Sequence, residues 1–483
     1  MMLSRKQRIW IVGISAFLAL VAVIVVVGWY KLYREVPVEY SNEDDNFKYG
    51  TIGTEDKAGI PFYIWKALPR VCPDLVPGPD GYASFGMIYE PGHDAPIGFT
   101  VKTIGFPRIA INCAFCHTGT VRDSADAAPR TVLAGGAHQL DAQAYLQFLF
   151  RCAGDPHFTA DRIIDEIQRD GAPLSALDRL LYRYLLIPQT RKGILQQRDD
   201  YAWMESRTRW GRGRIEPFNP VKFVMLKLPI DDTIGVADFL PLWTLTSEVG
   251  ASYHWDGLNT DLGEVVRSSA LGDGATTRSI ALANLERIQR WIGTQKPPPY
   301  PRKIDQALAD RGKQVFATAG CARCHDRGGS RFRTVIPVDE LATDRHRVDM
   351  WTERAKDTYM TYADDKSWAF KHFQKQNGYV AVPLDGLWLR APYLHNGSVP
   401  TLYQLLTPSA RVARFYRGSD VFEPDQVGFA YQPPDDKAQA AAFLKHTTEL
   451  DTRVAGNGNQ GHTYGADLDP ENKTALIEYL KTL

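Results

Sequence analysis

The hydropathy of the chain is dominated at its start by one apolar run, Ile9 to Tyr30, broken only by Ser15 and small residues. As a helix it would rise about 33 Å, enough to cross the hydrocarbon core of a bilayer. Arg5, Lys6 and Arg8 precede it, and it ends in Gly28, Trp29, Tyr30 and Lys31 with no small-x-small cleavage pattern. A cleaved signal peptide would have a shorter apolar stretch and such a site. Trp29 and Tyr30 suit the aromatic belt of a membrane–water interface, and the preceding basic residues favour a cytoplasmic N-terminus. The expectation is an uncleaved single-pass anchor in a bacterial-type inner membrane, with everything after Tyr33 on the periplasmic side.

Further along, apolar positions recur at helical spacing in three places. Ser279 to Ile292 uses Ile280, Leu282, Leu285, Ile288 and Ile292; Ile304 to Phe316 uses Ile304, Leu308, Gly312, Val315 and Phe316. Glu471 to Leu483 places Leu476, Ile477, Tyr479 and Leu480 on one side. Between the first two lies Gln295–Arg302, with four prolines, which has no capacity for regular structure and reads as a linker. Strand patterns are few and short. The predicted class is mainly α, divided into residues 1–35 (cytoplasmic N-terminus and anchor), 36–296 and 297–483. A length of 483 residues exceeds what one core usually supports and agrees with two domains after the anchor.

Charge excludes one class of partner. Lys and Arg number 56 and Asp and Glu 56, with no run of like charge, so nothing points to nucleic acid.

The chemistry lies in the cysteines. Four of the six form two copies of one pentapeptide, Cys113-Ala-Phe-Cys116-His117 and Cys321-Ala-Arg-Cys324-His325. This is the haem c attachment pattern: two thiols on one turn form thioethers to the haem vinyls, and the adjacent imidazole ligates the iron. A thioredoxin-like pair needs no histidine after both copies, and a zinc ribbon needs its pairs close together. Two covalently bound haems c are therefore expected, with His117 and His325 as proximal ligands. Cys72 and Cys152 remain, an even number that permits a disulfide outside the cytoplasm.

The stretch Trp388-Leu-Arg-Ala-Pro-Tyr-Leu-His395-Asn-Gly-Ser-Val-Pro-Thr-Leu402 resembles the bacterial dihaem cytochrome c peroxidase superfamily. Trp210-Gly-Arg-Gly-Arg-Ile-Glu-Pro-Phe-Asn219, His254-Trp-Asp-Gly257 and Gly461-His-Thr-Tyr-Gly465 are most similar to its rubber-oxygenase-like branch. The resemblance covers roughly residues 45–483. It implies two class-I cytochrome c-like haem domains with long loops, preceded by the one transmembrane helix.

It also implies a reactive N-terminal haem and an electron-transferring C-terminal haem. The family's usual methionine ligand of the latter corresponds to Ser409 here, and no methionine follows Met360. The alternatives are His462, His395, His446, Met350 and Met360. His462 follows the glycine-rich loop Gly456-Asn-Gly-Asn-Gln-Gly461 and would give a bis-histidine centre of lower potential. His395 is instead suited to fixing its loop or meeting a propionate. No histidine occurs between His117 and Arg130; His138 is the next candidate to face the first haem.

Trp255, or less directly Trp243, would relay electrons between the haems, with His254 beside it in the pocket. Arg212 and Arg214 would meet propionates. Calcium between the domains is a family feature that no ligand run here supports. The implied partners are peroxide or oxygen, a periplasmic or membrane electron donor or acceptor, and the inner membrane. The implied activity is peroxidase- or oxygenase-like oxidoreduction. A non-catalytic dihaem electron carrier and a haem-based sensor or maturation partner are the alternatives.

Overall fold

A computed structural model describes residues 4–172, 174–243 and 245–483. The apolar run forms helix α1, Arg5–Leu32, opened by a capping box in which the Ser4 hydroxyl accepts from the Gln7 N–H and the Gln7 side chain accepts from the Ser4 N–H. None of its residues is buried, and it is long and apolar enough to cross a membrane.

The chain then enters a four-stranded antiparallel sheet built from β1 (Glu35–Val36), β2 (Ile60–Pro61), β3 (Phe99–Ile104) and β4 (Phe106–Ile111), in the order β1-β3-β4-β2. This sheet was not foreseen, because β3 and β4 mix buried and half-buried positions instead of alternating cleanly. Gly105, at φ +73°, makes the turn between them, and a Cβ there would lie 2.3 Å from the Leu32 backbone. The Gly105 N–H donates to the Arg34 carbonyl at 2.7 Å. The end of α1 is thus seated on the hairpin, and the anchor boundary at residue 35 falls inside a paired strand.

Helices supply most of the rest. Phe62–Val71 packs on Ala160–Arg169, and Ala142–Gly154 on Ile187–Asp200. Within this apolar cluster Trp65 stacks on Tyr82 with ring centroids 3.9 Å apart, and its indole N–H donates to the Tyr145 hydroxyl at 2.9 Å. Cys72 and Cys152, the two cysteines outside the pentapeptides, are joined in a disulfide buried in the same cluster. It closes a sequence separation of 80 residues. Replacing both cysteines by alanine is expected to lower stability by about 2–4 kcal/mol, measured by denaturant unfolding, because the unfolded chain regains that loop's freedom. A loss near zero would mean that the surrounding packing alone holds the two helices.

The three helices expected from periodicity are Leu282–Thr294, Gln306–Thr318 and Pro470–Leu480, each within a few residues of its predicted bounds. The last two cross at Gly312, where a Cβ would meet the Ala475 carbonyl at 1.9 Å, so only glycine permits the approach. Phe316 and Tyr479 meet across the same crossing at 5.3 Å.

Residues 295–302 have no regular structure but are not a free tether. The Trp388 indole donates to the Pro298 carbonyl at 3.0 Å, and Tyr300 packs edge-on against Trp388 and Phe422. One apolar cluster runs from Phe47, Leu285 and Trp291 through Phe316 to Leu476 and Leu480. The proline-rich segment at 296/297 is therefore no break in packing.

Candidate haem-binding sites

Cys113 opens a short 3-10 turn, Cys113–Phe115, set by Asn112, whose side chain accepts from the Ala114 N–H at 3.0 Å. The Asn112 amide in turn donates to the Lys48 and Gly50 carbonyls, each at 3.1 Å. Cys113 and Cys116 are free thiols, and burial pushes Cys113 up to about 12 and Cys116 well above its ordinary value. The His117 Nδ1 lies 2.8 Å from the Leu240 carbonyl. A carbonyl only accepts, so Nδ1 carries the proton and Nε2 keeps its lone pair for a metal. Burial lowers His117 to about 4, which keeps the ring neutral, as a ligand must be.

The second pentapeptide repeats this arrangement on a different local structure. Cys321 caps the short helix Ala322–His325, and the His325 Nδ1 lies 2.9 Å from the Val382 carbonyl. Burial again lowers the imidazole. The Cys321, Cys324 and His325 side chains face a cavity walled by Phe316, Leu402, Leu406, Leu476 and Leu480.

Across the cavity stands His462. Its ring centroid is 6.2 Å from that of His325. Two imidazoles on opposite faces of one metal, each bonded at about 2 Å, place their centroids about 6 Å apart, so the spacing fits an iron between them. His462 adopts φ +47°, its N–H donates to the Leu341 carbonyl at 2.9 Å, and its Nδ1 is buried without a partner among the described residues. Burial and the nearby His325 lower it to about 4. Two free thiols, one oriented imidazole, a second facing it and apolar walls make a site that fits covalently bound haem. Among the described residues, no histidine ring meets His117 as His462 meets His325.

His395 also lines the cavity, but its ring lies flat on Tyr379 at 4.0 Å with Nε2 3.0 Å from the Tyr379 hydroxyl. That hydroxyl donates to the Asp344 carbonyl at 2.7 Å, so it accepts from His395, whose Nε2 carries the proton. The His395 carbonyl receives the Asp238 N–H at 2.8 Å. These bonds suit the loop-fixing role. Met350 and Met360 pack in or against the main core, His446 stands outside the cavity lining, and His138 stacks on Phe429 at 4.1 Å with its Nε2 buried and without a partner among the described residues.

Trp255 is placed between the two histidine-orienting segments. Its indole donates to the Asp238 carbonyl at 2.9 Å, two residues before Leu240, and its carbonyl accepts from the Val380 N–H at 2.8 Å, two residues before Val382. Trp243 is buried with its indole donating to the Leu133 carbonyl at 3.0 Å. His254, at φ +63°, packs edge-on against Phe218, and its Nε2 is buried without a partner among the described residues. Burial first, and then the charge of Arg347, lower it to about 3.

Arg212 and Arg214, the residues expected at propionates, bond to the protein itself. Arg212 donates to the Gln139 and Ser84 carbonyls at 2.6 and 2.9 Å, and Arg214 to the Trp210 and Arg209 carbonyls at 2.5 and 2.9 Å and to the Asn457 side chain at 2.7 Å. These bonds go to backbone carbonyls and one side chain, and neither arginine lines the cavity at Cys321 and Cys324. Among the described residues no three His, Cys, Asp or Glu side chains converge as a metal site, so nothing here builds a calcium site from such side chains. Sequence reading missed the carbonyls of Leu240 and Val382 and the supporting Tyr379. Backbone acceptors leave no mark in a residue pattern.

Residues 378–416, which include Tyr379, Val382 and His395, match the family model described as RoxA-like, cytochrome c-like. The chain contains a cytochrome c-like domain. That supports a relationship to the rubber-oxygenase-like cytochromes c and implies covalently bound haem c. Two proteins of Sinorhizobium fredii (strain NBRC 101917 / NGR234) are similar over part of their length. The uncharacterized protein y4iM is 29% identical, over 42% of this chain and 55% of its own. The uncharacterized protein y4iJ is 39% identical, over 39% of this chain and 41% of its own. The chain thus spans about half the length of the curated relatives it matches.

Proposed function

We propose that this protein is a membrane-anchored dihaem c-type cytochrome of the dihaem peroxidase superfamily, an oxidoreductase with its haem domains in the periplasm. The observation that carries the reading is the paired arrangement of the two pentapeptides. In each, the cysteines are free and a neutral histidine is turned by a backbone carbonyl so that its Nε2 is available. Bound haem would supply one-electron transfer at both motifs and peroxide or oxygen chemistry at the N-terminal one.

The chain's own residues divide the work. Cys113, Cys116, Cys321 and Cys324 would hold the two haems; His117 and His325 would be proximal ligands. His462 faces His325 and would close the C-terminal centre as an electron-transfer site. The asymmetry between the motifs favours substrate chemistry at His117, with His254, a neutral imidazole packed on Phe218, as the pocket candidate. Trp255, bonded to both histidine-orienting segments, is the relay candidate. Exchange of electrons with a periplasmic or membrane partner follows from this role.

The test is electron paramagnetic resonance with optical spectra of the oxidised full-length protein, before and after cyanide or peroxide. One high-spin or weakly ligated signal that shifts on addition, beside one unresponsive low-spin signal, is expected. Two unresponsive low-spin signals would leave an electron carrier without substrate chemistry.

A further inference from the structure

The helix that follows Leu174 carries apolar side chains that its own core does not use. Residues 176–200 run as one helical stretch, Ala176–Leu181, a π-turn Tyr182–Leu186, and Ile187–Asp200. Tyr182, Leu186 and Ile187 are buried against the disulfide-bearing cluster. Leu177, Leu180 and Tyr184, spaced three and four apart on another face, are 42%, 56% and 74% exposed.

This face stands beside the exit of α1. Lys31, in the last turn of α1, reaches the Asp178 carboxylate at 2.7 Å. Asp178 is itself held by Ser175, whose hydroxyl donates to it at 2.6 Å and whose N–H donates at 3.2 Å. The seat of Leu32 on Gly105 fixes the same end of α1 from a second side. With α1 in a bilayer, the ammonium of Lys31 and the rings of Trp29 and Tyr30 mark the headgroup level. Leu177 and Leu180 lie within one helical turn of Asp178, so they share that level, with the exposed Arg179 between them.

We infer that the Leu177–Leu180–Tyr184 face is a second membrane contact, lying in the headgroup layer of the same phospholipid bilayer that α1 enters. This rests on the reading of α1 as an anchor. The arrangement is that of an interfacial helix, apolar on one side with basic residues at its flank, continuous with a membrane-spanning element. It would hold the haem-bearing body in one orientation on the membrane instead of letting it swing on a stalk.

Site-directed spin labels on the haem-loaded full-length protein, reconstituted in phosphatidylcholine–phosphatidylglycerol nanodiscs, test the inference. Labels replace Leu180→Cys, Tyr184→Cys and, in α1, Leu20→Cys, and accessibility to oxygen is compared with accessibility to a water-soluble nickel chelate. All three positions are exposed in the protein itself, so labelling leaves the packing intact. The oxygen-to-nickel ratio is expected to be highest at residue 20, and at 180 and 184 several-fold above that of free label in buffer. A lipid value at 20 with buffer-like values at 180 and 184 would overturn the contact and leave the anchor standing. A buffer-like value at 20 would overturn the anchor, and the contact with it.

Discussion

Replacing His462 by alanine is expected to convert the haem proposed at Cys321 and Cys324 from a six-coordinate low-spin to a five-coordinate or water-ligated high-spin state. The geometry behind this is the 6.2 Å separation of the His325 and His462 rings, the spacing of two imidazoles that bind one iron from opposite faces. Loss of the second imidazole should also raise the midpoint potential, by a sizeable part of the roughly 0.8 V that axial ligation spans. His462→Met should restore a low-spin spectrum at a potential above that of the native protein. Optical redox titration reads both effects. An unchanged low-spin signal and potential in His462→Ala would remove His462 as the ligand and return the question to the other face of the cavity.

The second large effect is on stability and is expected at Arg417. Its side chain is 2% exposed and lies where several distant segments meet. Its guanidinium pairs with Asp238 and donates to the Arg212 carbonyl at 3.0 Å and to the Gly397 carbonyl at 2.6 Å. Burial pushes the Asp238 carboxyl up against the pull of Arg417 and Arg214. Removing the guanidinium would strand that carboxylate and free the carbonyls at once. Arg417→Met is therefore expected to cost roughly 3–5 kcal/mol in denaturant unfolding. Replacing Asp238 by leucine as well should recover a good part of it, since an apolar pair no longer carries a buried lone charge. A single-variant loss below about 1 kcal/mol would show that water reaches the site and takes over these bonds.

Much of this centre could be read in advance, for reasons visible in particular residues. The two pentapeptides stand out because the covalent haem attachment proposed for them needs specific side chains at fixed spacing. Helix α1 is legible because its apolar run is long and nearly unbroken, and it extends from Arg5 to Leu32 around that run. The pair Gln306–Thr318 and Pro470–Leu480 was visible from its apolar spacing, and Gly312 from its place within it. His462 could be singled out because a histidine after a glycine-rich loop is an unusual neighbour for a terminal helix.

What stayed hidden has a common cause. The Leu240 and Val382 carbonyls orient His117 and His325, yet any residue could offer them. Arg212 and Arg214 look the same in sequence whether they face a propionate or a backbone turn; their surroundings come from segments far away in the chain, including Asn457. The proline-rich stretch at 295–302 reads as a linker because local sequence cannot show that Trp388 and Phe422 will close over it.

The disulfide carries a consequence for how the chain matures. Cys113 and Cys116 lie inside the loop that the Cys72–Cys152 bond closes. Of all the bonds these four cysteines could form, only the outermost leaves both thiols of the first pentapeptide for haem; every other pairing consumes at least one. Shorter loops close at lower entropic cost, so a chain oxidised while unfolded is biased toward the wrong partners. Cys72 ends one buried helix and Cys152 sits in another, and they meet once the cluster around Trp65 has assembled. For the haem attachment proposed at Cys113 and Cys116, folding of that cluster before oxidation would keep both thiols free.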